Sequence, residues 1–439
     1  MKAPGRALLR WLMPGMRVKR WILLAVFSMG LIVLAILSVF GVDLVRALYR
    51  ALPDTAAARD ALMVGFVAIG VFGFGLALWR LVRSIARGVA PGARETTSAM
   101  IYRTRILERG PNVVAVGGGT GLSTLLRGLK RETANITAIV TVTDDGGSSG
   151  RLRQEIDVLP PGDVRNCILA LAEDETRLST LLDYRFSGAH ELAGHSLGNL
   201  LLAGLEQATG GFDRAVEAMS QMLNVRGDVL PATLTKTHLV ATMDDGTTIE
   251  GESRIVADLR RIQKLELSSA PVEPYERVLR AIAEAELILL GPGSLFTSLI
   301  PNLLVEGIAA AIEEAAAEKV LIGNLMTQPG ETDGFTLGDH LGVLDEYVDV
   351  GCFDLLIANA ATPSDAMLDR YRNEAAEPVC DDVGDGNRFG LVVVREELLE
   401  TAEWGGRQTL KHGPASLART IVRTTRTFSH RGRAYESIP

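Results

Sequence analysis

Hydrophobic residues follow two different spacings along this chain. Positions 21–42 form an uncharged run of 22 residues, and 61–79 form a second of 19. About 20 apolar residues carry a helix across the hydrocarbon core of a bilayer, so both runs predict transmembrane helices. From Asn112 onward the pattern changes to short apolar runs separated by amphipathic stretches. These runs lie at 113–116, 136–142, 287–290, 320–322, 355–358 and 391–394. Strands apolar on both faces, alternating with helices, predict an α/β fold with a doubly wound, mostly parallel sheet and a Rossmann-type core. Ligands of such sheets bind at the carboxyl ends of the strands, where the strand order reverses.

Charge sharpens the division. Residues 1–104 carry 14 Lys/Arg against 4 Asp/Glu, whereas 105–439 carry 31 against 49. Basic residues crowd both outer flanks of the two apolar runs, from Lys2 to Arg20 and from Arg80 to Arg94. The positive-inside rule then predicts a helical hairpin in the cell membrane with both termini and the body in the cytoplasm. The expected organisation is a membrane anchor over 1–87, a linker over 88–104, a nucleotide-binding domain over 105–425 and a loose basic tail over 426–439. An acidic body argues against nucleic-acid binding. Cys167, Cys352 and Cys380 are far apart and odd in number, which suits reduced thiols.

Candidate chemistry sits at three strand ends. The first strand runs into Gly-Gly-Gly-Thr-Gly at 117–121, where glycines admit a phosphate and a helix N-terminus offers free N–H groups. Thr120, Ser123 and Thr124 would add hydroxyl donors. A side chain at Gly119 is expected to block phosphate approach without disturbing the fold. The second strand ends in Asp144 and Asp145, which could hold Mg²⁺, accept protons from sugar hydroxyls, or act as a base. The run Gly-Pro-Gly-Ser at 291–294, with Thr297 and Ser298 beyond it, reads as a second anion cradle. Asp245 and Gly246 read as a hairpin turn. His190 and His195 lack the further ligands of a zinc site, and no Gly-x-Ser-x-Gly elbow marks a serine hydrolase.

Six motifs in order then resemble the YvcK proteins, or gluconeogenesis factors, which share a fold with CofD, the 2-phospho-L-lactate transferase. They lie at 117–121, 144–150, 160–166, 194–199, 291–294 and 324–334, and the likeness runs over about 110–425. The resemblance implies a regulatory protein that binds UDP-sugars and supports cell shape and wall synthesis in gluconeogenic growth. The alternative it implies is a Mg²⁺-dependent transferase of a phosphorylated group from a diphosphate nucleotide. It implies ligand-binding roles for Gly118, Gly119, Thr120, Gly121, Asp144, Asp145, Asn166, His195, Asn199, Gly293, Ser294, Asn324, Thr327 and Asn359. Asp144 and Asp145 are the metal candidates, and no catalytic nucleophile is implied. It also implies a homodimer or larger oligomer. Typical members are soluble, so residues 1–100 read as a departure.

Overall fold

A computed structural model describes residues 106–428 except 189–190, 270 and 405–406, together with scattered positions between 27 and 76. The chain divides into two compact units, 1–106 and 107–439. The spans read at 21–42 and 61–79 lie mostly outside the described residues, as does the tail, and the linker and His190 lie outside them entirely. Among the described residues no single helix is long and apolar enough to cross a membrane.

Among the described residues the second unit has twelve strands. They are β1 (Val113–Gly117), β2 (Ile136–Val140), β3 (Asp228–Pro231), β4 (Leu239–Met243), β5 (Thr248–Glu250) and β6 (Ile262–Leu267). The chain continues with β7 (Leu287–Leu290), β8 (Glu318–Ile322), β9 (Leu355–Asn359), β10 (Val392–Glu396), β11 (Leu399–Trp404) and β12 (Arg407–His412). Seven of them form one parallel sheet in the order β10-β9-β8-β7-β1-β2-β3. All six apolar runs are in it; five are buried on both faces, as their hydrophobicity requires, and β10 lies at the edge with Val392 exposed. Along β1, Val114 and Val116 join the core on one face, and Val113 and Ala115 join the core on the other. β4, β5 and β6 form a small antiparallel sheet, with Asp245 and Gly246 in the turn between β4 and β5 as expected. β11 and β12 form a separate antiparallel hairpin.

Six helices position the site: α1 (Gly119–Leu129), α2 (Gly147–Ile156), α3 (Gly162–Leu171), α4 (Leu197–Thr209), α5 (Glu252–Ala257) and α6 (Pro414–Thr424). α1 packs against α3 and α6, burying Leu122, Leu125, Leu126 and Leu129. The basic tail does not begin at 426. Arg426 N–H and Thr427 N–H donate to the Glu318 carboxylate at 2.9 and 2.8 Å, and Phe428 is buried. Glu318 lies at the start of β8, where its buried charge needs these donors. The fold therefore extends at least through Phe428.

Candidate functional site

β1 is the point where the sheet reverses. The chain proceeds from β1 to β2 and β3 on one side, and from β7 to β8, β9 and β10 on the other. The loops after β1 and β7 therefore diverge above neighbouring strands, the geometry that opens a ligand crevice in doubly wound sheets. These two loops touch. A Cβ placed on Gly121 would lie 2.3 Å from the Pro292 carbonyl oxygen, so only glycine allows this approach. Asn302, fully buried, fastens the pair by donating Nδ2–H to the Gly117 carbonyl at 3.0 Å and the Ser298 carbonyl at 2.7 Å.

α1 starts at this contact. Gly118 is extended and offers no side-chain cap, and Gly119 has φ +60°. The first-turn N–H groups of a helix have no partner within it, so those of Thr120 and Gly121 are available to an anion. The Gly119 N–H is already engaged by Asp163. The hydroxyls of Ser123 and Thr124 are not available either, because both donate to the Thr120 carbonyl, at 3.0 and 2.8 Å. A side chain at Gly119 meets open space, with only Ser298 Oγ near, at 3.7 Å. Its positive φ nevertheless strains any β-branched residue, so the expectation of an undisturbed fold does not hold there.

A cavity of about 510 Å³ opens above the loops. Of the residues expected at the site, it is lined by Gly118, Gly119, Thr120, Gly121, Asn166, Gly293, Ser294 and Asn324. Arg127, Gln328, Lys411 and His412 also line it and were not foreseen. Arg127 is committed to an ion pair with Glu175, which Lys130 Nζ also reaches at 2.9 Å. Lys411 has no ion pair among the described residues. The second loop leads into one turn of π-helix (Leu295–Leu299) that continues as a short α-helix (Ile300–Leu303).

Six expected residues lie outside this cavity. Asp144 accepts from the Gly146 N–H at 2.8 Å, and Asp145 accepts from the Ser253 N–H at the start of α5 at 2.8 Å. His195 Nδ1 and Ser148 Oγ are 2.9 Å apart, and Asn199 Nδ2 donates to the same hydroxyl at 3.1 Å. This buried network ties α2 to α4. Burial, and then Arg151, lower the His195 pKa, which favours the neutral ring. Thr327 Oγ1 accepts from the Glu377 N–H at 3.0 Å. Asn359 caps its own loop by accepting from Ala361 and Leu398, both at 3.1 Å. It lines a smaller cavity of about 230 Å³ that shares Asn324 and Leu325 with the main one.

Below the first loop lies an acidic band. Asp163 is only partly covered as a residue, yet its carboxyl is enclosed, and burial, then the charge of Asp144, push it up to about 6. Burial, then the like charge of Asp145, also raise Asp144 despite its hydrogen bonds to Gly146 and Ser149. Glu252 is raised well above the carboxylate range by burial and by Asp144, Asp163 and Glu331. Burial raises Glu331 to about 7 against the hydrogen bonds from Thr297 and Phe296. Among the described residues no group of three or more His, Cys, Asp or Glu side chains has metal-holding geometry. Asp144 and Asp145 are held by different partners, and Asp163 is the carboxylate that touches the glycine loop.

These features match known proteins. The family described as 2-phospho-L-lactate transferase CofD matches residues 113–399. A gluconeogenesis factor of Halalkalibacterium halodurans is 51% identical over 311 residues, covering 71% of this chain and 95% of the relative. The chain belongs to the gluconeogenesis factor family. A crystal structure of a Bacillus halodurans protein superposes with a TM-score of 0.68 at 46% identity, covering 72% of this chain and all of that one. A putative gluconeogenesis factor of Nostoc sp. is 43% identical over 94% of this chain and 92% of its own length. Covering 94% of 439 residues leaves about 26 unmatched, so that alignment enters the first hundred residues. The N-terminal region is thus shared with some relatives, whereas the Halalkalibacterium halodurans relative, matched over 95% of its own length, covers only 71% of this chain.

Proposed function

We propose that this gluconeogenesis factor binds a nucleotide sugar of the UDP-sugar class and acts as a regulator of cell shape and wall synthesis under gluconeogenic growth. The observation that carries the reading is the contact of two glycine loops at the sheet's reversal point, beneath a cavity with an open helix N-terminus and Lys411, which has no ion pair among the described residues. The diphosphate lies against Thr120, Gly121 and Lys411. A cavity of about 510 Å³ is in the range that takes a ligand of this size. Asp144 and Asp163 lie outside this cavity and are enclosed, so a Mg²⁺ requirement for binding would mean that the acidic band opens toward the phosphates. Titrating UDP-glucose and UMP into the full chain, with and without Mg²⁺, tests this reading. Lys411→Ala in the same titration is expected to weaken UDP-glucose at least tenfold, about 1.4 kcal/mol. Unchanged affinity would move the phosphates elsewhere.

The second reading is a transferase, favoured by the description of the matched family. It requires an acceptor beside the donor, and the smaller cavity sharing Asn324 and Leu325 is where that acceptor would sit. Release of UMP or another nucleotide product from a UDP-sugar on addition of acceptor would support it.

We also propose that residues 1–87 anchor the protein in the membrane with both termini in the cytoplasm. The described residues there include Phe27, Val64 and Phe72 on helical backbone, each more than half exposed, as lipid-facing side chains would be. The full chain is expected to stay with membranes through carbonate and salt washes. Extraction by salt alone would contradict the hairpin.

A further inference from the structure

Two polar side chains reach the cavity wall from separate segments. Asn166 lies on α3, and Asp183 directly follows the helix Glu175–Leu182. A single side chain joins them. Arg165 donates Nη2–H to Asn166 Oδ1 at 2.6 Å, and its Nη1 pairs with Asp183 Oδ1 at 3.2 Å. Nη1–H also donates to Ser196 Oγ at 2.8 Å and to the Leu182 carbonyl at 3.3 Å. Arg165 is buried, and α4 closes over its stem, since a Cβ on Gly198 would stand 2.6 Å from Arg165 Cδ. The guanidinium is therefore held by packing as well as by hydrogen bonds.

That guanidinium fixes the direction of the Asn166 amide. Arginine carries donors only, so the amide must turn its oxygen toward Arg165 and its nitrogen away. The reversed amide would set N–H against N–H. Asn166 is half-buried and lines the cavity. Its Nδ2 makes no hydrogen bond among the described residues and is not one of their enclosed unpartnered atoms, so it stays accessible. Asn166 also lies one turn along α3 from Asp163, whose carboxyl accepts from the Gly119 N–H. Residues three apart share a helix face, so the Asn166 side chain stands on the side of α3 that meets the glycine loop.

We infer that Arg165 is a positioning residue that presents the Asn166 amide N–H to a phosphate oxygen of the ligand. The inference rests on the nucleotide-sugar reading and deepens it. Beside Thr120 and Gly121 on α1, the diphosphate gains a side-chain donor from α3. An amide free to turn would meet the anion with either end, and its oxygen would repel it. Arg165 settles that choice before the ligand arrives, which lowers the ordering cost of binding. The same guanidinium offsets the Asp183 carboxylate, 41% exposed at the cavity wall, which would otherwise repel a phosphate.

The test is a double-mutant cycle read on affinity. UDP and UDP-glucose are titrated into the full chain in detergent as wild type, Asn166→Ala, Arg165→Lys and the double variant, each checked by melting. Asn166→Ala is expected to weaken both ligands about tenfold or more. Lysine lacks the planar fork, so Arg165→Lys is expected to weaken both similarly. The double variant should bind within about threefold of Asn166→Ala, because Arg165 acts through the amide. Asn166→Asp tests both halves without touching Arg165, since it keeps an acceptor for the guanidinium but has no N–H. It is expected to melt at or above the wild-type temperature and yet to bind about tenfold or more weakly, a split that a structural role would not produce. Wild-type affinity in Asn166→Ala, losses that multiply in the double variant, an Asn166→Asp variant that melts below wild type, or a loss confined to UDP-glucose would overturn the inference while leaving the nucleotide reading intact. Failure of UDP-glucose to bind the wild-type chain would overturn the nucleotide reading, and this inference with it.

Discussion

Alanine at Gly121 is expected to cost the fold about 3 kcal/mol and to weaken nucleotide-sugar binding about a hundredfold. The added Cβ would stand 2.3 Å from the Pro292 carbonyl oxygen, 2.7 Å from its carbon and 3.0 Å from the Gly293 nitrogen. All three are backbone atoms, so no rotamer change relieves the overlap. Overpacking ordinarily costs about 1–3 kcal/mol, and a backbone collision belongs at the upper end. The two loops must separate, which moves the N–H groups of Thr120 and Gly121 away from the second loop. Two charge-assisted hydrogen bonds at about 1.5 kcal/mol each correspond to roughly a hundredfold. Gly119→Ala is the control, because there the new Cβ meets open space and only the positive φ is strained. Thermal melting and calorimetry on both variants measure the difference. Equal melting temperatures for Gly121→Ala and wild type would mean that the loop contact does not hold the site.

Asp163→Asn is expected to stabilise the ligand-free protein at pH 7.5. The folded carboxyl titrates near 6, against roughly 4 for an unfolded aspartate. Between those values the folded state holds a proton that the unfolded state lacks. Stability from this group is therefore complete below about pH 4, declines as pH rises through 6, and is lost above it. Glu331, near 7, adds a loss of the same sign over about pH 4.3 to 7. The wild-type melting temperature should fall between pH 5 and 7.5. Asparagine keeps an oxygen for the Gly119 N–H but removes the charge. At pH 7.5 the gain is on the order of 1–2 kcal/mol, and the pH slope flattens. A variant less stable than wild type at pH 7.5, with the same slope, would show that Asp163 is not under electrostatic strain.

The parts of the fold that were legible in the sequence are those where one physical demand acts alone. Strands buried on both faces must be apolar throughout, and five such runs were read; the sixth, β10, is apolar at the sheet edge, where Val392 is exposed. β3 escaped because Asp228–Pro231 is four residues long, begins with a charge and ends in proline. The glycine loops were legible because a close backbone approach admits no other residue. Long-range polar contacts left no local trace. Asp163 reads in sequence as an acid in the first turn of a helix, favourable to the dipole anywhere. Only the fold carries it to the Gly119 N–H. Glu252 and Glu331 come from distant segments, and nothing near them in sequence signals a shared band of charge. Ser123 and Thr124 misled because their hydroxyls have an acceptor within α1, a local competition that composition does not show. Lys411 and His412 had a usable signal: Gly405 and Gly406 stand between two runs of six residues, the spacing of a two-residue hairpin.

The central claim is that the paired glycine loops hold a diphosphate, and titration of the full chain in detergent with UMP, UDP and UDP-glucose tests it most directly. A second phosphate brings one or more charge-assisted hydrogen bonds from Thr120, Gly121 and Lys411, each about 1.5–3 kcal/mol. The account predicts UDP at least tenfold tighter than UMP, UDP-glucose tighter again, and the UDP advantage reduced in Lys411→Ala. Equal affinity for UMP, UDP and UDP-glucose, unchanged in Lys411→Ala, would contradict it.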